Sequence, residues 1–242
     1  MRLICHAASD RPRATRDING NEELEFANAQ SENGYYDFSA LWTAFVVPSE
    51  PENNDDQAWG GIYSGLLQQN GVCNAIMQPA LTWNYGENVG GAQHQYWIQA
   101  GYNDPTGYYF AETYEVPVND TIYAYTTYVG YNEYALEIID ADNTSLDSFM
   151  YYTPYCDYPF NVAVGEALEW YGTPGNNQYP ASCNDMPASK ALASTITLAY
   201  QFDGEGGTVE VTPSWFGEKE AEQPASCNWG WSNGTSDVRL TW

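Results

Sequence analysis

The sequence predicts an all-β fold, a two-sheet antiparallel β-sandwich. Three observations point there: helical periodicity is scarce along the 242 residues, short runs rich in Tyr, Val, Ile, Thr and Trp recur, and clusters of Gly, Pro, Asn and Asp separate them. Packing two sheets face to face lets every such strand turn one side inward, the natural solution for one domain of this length.

In chain order, the first strand is expected over Ser39 to Val47, where Leu41, Trp42, Phe45 and Val46 stand among small and polar residues. The acidic run Glu50 to Asp56 follows as a solvated loop. Ala58 to Gly65 and Asn74 to Thr82 come next, the first carrying Trp59, Ile62 and Tyr63, the second Ile76, Met77 and Leu81. Gln95 to Tyr102 and Tyr108 to Val116 are dense in aromatics. A turn at Asn119-Asp120 opens Thr121 to Val129, in which Ile122, Ala124 and Thr126 alternate with Tyr123, Tyr125 and Thr127, as a strand with one face in and one face out requires. Gly130-Tyr131-Asn132 turns the chain into Ala135 to Asp140, and Asp142-Asn143 turns it again. Asn161 to Tyr171, Ala193 to Phe202 and Val238 to Trp242 complete the strands, with Asp203 to Gly207 a further turn. Residues 19–242 show no low-complexity linker or obvious repeat and are read as a single sandwich domain; residues 1–18 are read as a leader or propeptide remnant.

Charge narrows the function. The chain has 7 Lys+Arg against 32 Asp+Glu, a formal net charge of −25. Arg2, Arg11, Arg13 and Arg16 lie in the leader, as do Asp10 and Asp17, so the body has 7 − 4 = 3 basic and 32 − 2 = 30 acidic residues, net 3 − 30 = −27. Affinity for nucleic acid or for an anionic membrane surface needs clustered Lys and Arg, so neither is an expected partner. The body repels itself at neutral pH and loses that repulsion once its carboxylates protonate near pH ~4. Acidic medium suits it, and so does salt that screens the charge.

No stretch approaches the roughly 18 apolar residues that a membrane-spanning helix needs. The five cysteines, Cys5, Cys73, Cys156, Cys183 and Cys227, are widely spaced without a CxxC pair, so two disulfides among the last four plus one leader thiol is the simplest account. Asn119, Asn143 and Asn233 head Asn-x-Ser/Thr triplets that permit glycosylation. Together these features predict a secreted or extracellular protein.

Catalytic schemes are tested by counting. Two histidines, His6 and His94, cannot furnish a His-rich zinc site or a convincing Ser-His-Asp triad, and no phosphate loop, dinucleotide fingerprint or HExxH helix occurs. The run Asp140-Ala141-Asp142-Asn143-Thr144 has alternate oxygen ligands but lacks the Gly of a calcium loop, and is read as a hairpin turn; no metal or cofactor is expected. Carboxylates, amides and aromatics remain, which suit acid-base hydrolysis.

On that footing, Ala58-Trp59-Gly60-Gly61-Ile62 followed by Cys73-Asn74-Ala75-Ile76-Met77-Gln78 and Pro79 to Trp83 resembles the core of the glutamic peptidases of the G1 family, the eqolisins. Gln95 to Gln99 resembles that family's aromatic and acidic strand, Val116 to Ile122 its Gly-Asp-x-Ile entry to the next strand, and Leu136 to Leu146 its Asn-x-Thr hairpin. Ala163-Val164-Gly165-Glu166-Ala167-Leu168-Glu169-Trp170 lies where the family has its catalytic glutamate. The resemblance spans residues 38–202 and implies a concanavalin A-like, jelly-roll sandwich whose concave sheet holds a Gln/Glu dyad. It assigns the dyad to Gln78 and Glu169, with Glu166 the alternative. Glu169 would take a proton from the attacking water, and Gln78 would hold that water and donate to the oxyanion.

The same resemblance makes Trp59, Trp83, Trp97 and Tyr102 candidate linings of a peptide cleft, with Gln99 at a position that is acidic in the family, and it matches Cys73 and Cys156 loosely to the family's disulfide. Trp42 is the candidate for the Trp that the family carries near its start. One departure bears on geometry: Glu166 and Glu169 are three residues apart where the family has four, so on a regular strand they face opposite sides unless a bulge intervenes. The expected function is a secreted acid endopeptidase acting on protein or peptide; the alternative is a non-catalytic sandwich that binds glycan or protein, or a surface and assembly module.

Overall fold

The computed structural model describes residues 25–30, 37–52, 59–68, 74–84, 94–156, 160–171, 183–187, 192–201, 208–211, 215–219, 230–233 and 237–241. They form two antiparallel sheets. The first contains β1 (Glu25–Gln30), β3 (Trp59–Gln68), β4 (Ala75–Met77), β5 (Ala80–Trp83), β6 (Tyr96–Gln99), β7 (Gly101–Asp104), β8 (Gly107–Phe110), β9 (Tyr114–Val116), β13 (Val162–Tyr171) and β16 (Phe216–Lys219). The second contains β2 (Asp37–Val46), β10 (Thr121–Gly130), β11 (Glu133–Asp140), β12 (Asp147–Tyr152), β14 (Leu192–Gln201), β15 (Thr208–Val211), β17 (Gly230–Asn233) and β18 (Asp237–Thr241). Cys183–Asp185 makes one 3₁₀ turn.

Strands that alternate in sequence sit where alternation predicts. In β11 every second residue, from Tyr134 to Asp140, is buried, and β10 buries Ile122, Ala124 and Thr126 while exposing Tyr123 and Val129. The β10–β11 turn has Tyr131 and Asn132 both at positive φ, 55° and 58°, the backbone of a two-residue hairpin turn whose twist matches its strands. The core between the sheets gathers Phe38, Leu41 and Phe45 from β2, Ile62 and Leu66 from β3, Trp83, Tyr96 and Ile98, and Leu136 and Ile138. Polar groups tie across it: Thr43 Oγ1 meets Ser64 Oγ at 2.8 Å. Ser148 Oγ accepts from Ala100 N at 2.8 Å and donates to Glu112 O at 2.6 Å. Each tie satisfies groups that would be costly to bury alone.

The first sheet departs from simple alternation at its centre. From Ile62 to Gln68 in β3, and from Val162 to Leu168 in β13, every residue is buried, so these strands are covered on both faces. Beside β3 the chain runs straight through β4, Gln78-Pro79 and β5 in a single register, with Leu66 opposite Met77 and Tyr63 opposite Ala80. Pro79 has no N–H to give the ladder, which is why one predicted strand, Asn74 to Thr82, appears as two. The next path, β6 and β7 about Ala100, is divided in the same way.

The sequence reading did not foresee β1, β12, β15, β16 or β17. β1, Glu-Phe-Ala-Asn-Ala-Gln, and β17, Gly-Trp-Ser-Asn, carry few strand-forming residues and owe their state to their neighbours: β1 pairs with β13 on one side and β16 on the other. The leader expected over residues 1–18 lies outside the described residues.

Gly65 sets the spacing of β3 and β4. A Cβ added there would stand 2.2 Å from the carbonyl oxygen of Met77, backbone that cannot swing away. Gly65→Ala is therefore expected to destabilise the fold by about 1–3 kcal/mol, read as a lower denaturation midpoint; an unchanged midpoint would show that β4 can retreat freely.

Candidate active site

The face of the first sheet turned away from the second sheet carries a cluster of its own: Tyr63, Leu67, Ile76, Ala80, Val162, Val164 and Ala167. Gln78 belongs to this face by alternation with Ile76 and Ala80. It is half-buried, and its backbone N–H donates to Gly101 O at 2.7 Å. Register places it across from Gly65 on one side and Gly101 on the other.

β13 contains the bulge on which the choice of glutamate turned. Val164 pairs with Gly65 and Ala167 with Tyr63, so Gly165 and Glu166 together oppose Ser64 alone. Against β1 the same shift falls between Ala27 and Asn28. Against β1 the unpaired residue is Gly165, and from Glu166 to Leu168 the pairing is regular, so Glu166 keeps the face of Leu168. Glu166, 2% exposed, is on the side of Leu168 and Ser64, toward the second sheet. Glu169 pairs with Gly61 through its backbone, and its side chain lies outside what is described.

Register also measures separation. Gln78 lies at the level of Gly65 and Glu169 at the level of Gly61, four residues or about 13 Å along the sheet and two strand spacings, about 10 Å, across it. Their backbones are therefore about 16 Å apart by strand geometry. Glu166 lies one residue from the Gln78 level, with β3 between them, about 10 Å away.

The aromatic candidates divide between the two faces. Trp83 is not a cleft residue: it is 1% exposed in the inter-sheet core, its ring 4.7 Å from that of Tyr96. Tyr102 also packs on that core and lies between Tyr152, at 4.1 Å, and Tyr109, at 4.9 Å. Alternation across the pairs Trp83–Tyr96 and Thr82–Trp97 puts Trp97 on the opposite face with Gln99. Both are buried, and neither Trp97 Nε1 nor Gln99 Oε1 has a hydrogen-bond partner among the described residues. Trp59 pairs with Tyr171 through its backbone, and its side chain lies outside what is described.

Asn119 and Asn143 occupy exposed turns, while Asn233 closes β17 opposite Val238. Cys156 and Cys183 are disulfide-bonded; Cys73 and Cys227 lie outside the described residues.

A second surface was not anticipated. The outer face of the second sheet exposes Trp42, Tyr123, Phe149 and Tyr151, and a shallow groove of about 210 Å³ is lined by Trp42, Tyr125, Thr127, Ala135 and Glu137. Trp42 Nε1 donates to Thr127 Oγ1 at 3.1 Å, and its ring meets Tyr125 edge-on at 5.9 Å. The alternation of Thr121 to Val129 was the signal available for it. Burial, and then the charge of Asp147, pushes Glu137 above the usual carboxylate range; burial does the same to Asp147.

The folded chain shares the β-sandwich of the glutamic peptidases. Scytalido-glutamic peptidase bound to a peptide-based transition-state analogue aligns with a TM-score of 0.56 at 15% identity, over 91% of this chain and 98% of that one. A second structure of that peptidase, with a transition-state analogue inhibitor, aligns at 0.55 and 15% with the same coverage. SCP-B, a member of the eqolisin family in complex with the tripeptide Ala-Ile-His, aligns at 0.54 and 14% identity, again over 91% and 98%. No family model and no curated protein matches the sequence.

The buried amide of Gln99 gives a direct test of this face. In Gln99→Glu the new carboxyl is desolvated, so its folded pKa rises above the unfolded value of about 4.3. The variant is expected to match wild type in urea below that pH and to lose stability as pH rises through it. Equal midpoints at acid and neutral pH would show that Gln99 is reached by water.

Proposed function

We propose that the protein is a secreted endopeptidase that hydrolyses protein substrates in acidic medium, using Gln78 and a glutamate of β13. One observation carries this reading: Gln78 sits half-buried at a break in its strand, between Gly65 and Gly101, with only β3 between it and the β13 bulge that bears Glu166. The shared sandwich supports it, because structural neighbours hold peptide-like inhibitors. Exposed Asn119 and Asn143 and the bonded Cys156 and Cys183 support an oxidising, extracytoplasmic location.

Of the two glutamates, the sequence favours Glu169 and the register favours Glu166. Gly165 makes the bulge mobile in sequence terms, since a residue without Cβ accepts either bulge conformation. Shifting the extra residue from before Glu166 to after it would turn that carboxylate to the Gln78 face without moving Val164 or Ala167. There Glu166 would take a proton from water as its oxygen attacks the scissile carbonyl carbon. The Gln78 amide would donate to the oxyanion, and the protonated Glu166 would return its proton to the leaving amine nitrogen as the C–N bond breaks. A neutral amide partner needs no basic residue, which suits a body with so few.

Digestion of a denatured protein at about pH 2–5 tests the proposal. Wild type is expected to cleave, Gln78→Ala and Glu166→Gln to lose about a hundredfold or more, and Glu169→Gln to retain activity. Loss in Glu169→Gln with retention in Glu166→Gln would return the role to Glu169. An inactive wild type would favour the second reading, binding of glycan or protein on the exposed Trp42, Tyr123, Phe149 and Tyr151 face.

An acidic working range has its own test. The folded chain holds the protons of Glu137 and Asp147 more tightly than the unfolded chain does, so their contribution to stability is present below the unfolded values near pH ~4 and is lost as pH rises through the raised folded ones. The urea midpoint is expected to be higher at about pH 4 than at about pH 7, and Glu137→Gln to narrow the gap. A midpoint that rises toward neutral pH would contradict an acid-adapted fold.

A further inference from the structure

We propose that Asp120, Asp140 and Asp142 form a binding site for a hard divalent cation of the Ca²⁺ class, at the end of the second sheet away from the peptidase face. One carboxylate oxygen of each residue lies within 4.8 Å of the others. Asp120 comes from the turn before β10, and Asp140 and Asp142 from the β11–β12 hairpin. They meet because β10 and β11 pair with Ile122 opposite Asp140, and because Ala141 N donates to Thr121 O at 2.8 Å.

The second observation is the state of Asp140. Its Oδ1 accepts from Asp142 N at 2.8 Å and from Asn143 N at 3.1 Å, which explains one oxygen as an ordinary turn cap. The residue is fully buried, yet Oδ2 has no hydrogen-bond partner among the described residues. A turn alone leaves that oxygen unexplained, whereas a cation held with Asp120 and Asp142 satisfies it.

The surrounding backbone is already fixed. Asp142 Oδ2 accepts from Thr121 N at 2.8 Å, Val47 N donates to Asp120 O at 2.9 Å, and Asn119 N donates to Val47 O at 2.9 Å. No protein cation balances the cluster in sequence terms, since no Lys or Arg occurs between Arg16 and Lys190. All-oxygen, carboxylate-rich donors select Ca²⁺ or Mg²⁺ over softer metals, and ligands drawn from two loops fit the adaptable coordination of Ca²⁺ better than rigid octahedral Mg²⁺. The hairpin residues lack the glycine of a calcium loop because they supply only part of the site.

The test uses the full chain, stripped with a chelator and titrated with CaCl₂ at about pH 7, ionic strength held constant with NaCl, by calorimetry and thermal unfolding. One saturable ion per chain is expected, with Kd of roughly 10⁻⁴–10⁻³ M as in extracellular modules, and a Tm that rises with occupancy. Asp120→Asn and Asp142→Asn are each expected to weaken binding about tenfold or more, whereas Asp147→Asn leaves the affinity unchanged. These variants decide the matter because neither removes the buried cap that Asp140 provides. Overturning results are a Tm rise that matched NaCl reproduces, or Ca²⁺ affinity unaltered in Asp120→Asn and Asp142→Asn; either would leave general charge screening as the whole effect.

Discussion

The arrangement of this molecule depends on how closely the backbone of β4 approaches β3 at Gly65. A strand buried on both faces must satisfy its ladder and pack two sets of side chains at once. β3 does so by sending Ile62 and Leu66 into the inter-sheet core and Tyr63 and Leu67 to the other side. With no Cβ at Gly65, the Met77 carbonyl can close on β3 although Pro79 leaves the ladder one donor short. Gln78 owes its position to those two residues: the proline breaks the strand, the glycine holds the break close, and Gly101 O takes the Gln78 N–H.

The double burial also sets the character of the candidate site. A groove on an open sheet would display alternate polar side chains, but here Tyr63, Leu67, Ile76, Ala80, Val162, Val164 and Ala167 make a second apolar layer. Polar groups on that side are few, and Trp97 Nε1 and Gln99 Oε1 are buried without partners among the described residues. Such a layer raises the strength of each hydrogen bond made in it, because desolvated partners interact at lower effective dielectric. The exposed aromatics lie on the opposite sheet, so substrate chemistry and any aromatic recognition surface would occupy different faces of the sandwich.

The fold was legible in the sequence because its strongest strands announce themselves in short range. Thr121 to Val129 alternates, and its turn at Tyr131-Asn132 bears the positive φ that the preceding glycine leads into. β1 and β17 were not legible, since their residues have little strand preference and become strands through partners distant in sequence. For the site, Gln78 could be singled out from its neighbourhood of Cys73, Ala75 and Ile76. The three-residue spacing of Glu166 and Glu169 raised the prospect of a bulge, but no local pattern told where it would fall, because a bulge is defined by two strands at once. The burial of Trp83 between the sheets and the packing of Tyr102 on that core were not legible for the related reason that an aromatic on a strand reads alike whichever face it takes. Asp120 escaped notice because its partners Asp140 and Asp142 reach it through strand pairing.

The excess of acid then has a structural meaning beyond repulsion. Exposed carboxylates on a body of this charge are relieved by either protons or salt, and sequence alone does not choose between them. Glu137 and Asp147, partly withdrawn from water on the second sheet, favour protons, since burial disfavours their charged forms and Asp147 adds its charge beside Glu137. The Asp120, Asp140 and Asp142 group differs because its three oxygens converge and one is buried: a proton neutralises one carboxylate, whereas a divalent ion meets all three. A divalent ion held there would offset part of the acid excess at the one corner, between β10 and β11, where strand pairing forces three carboxylates together.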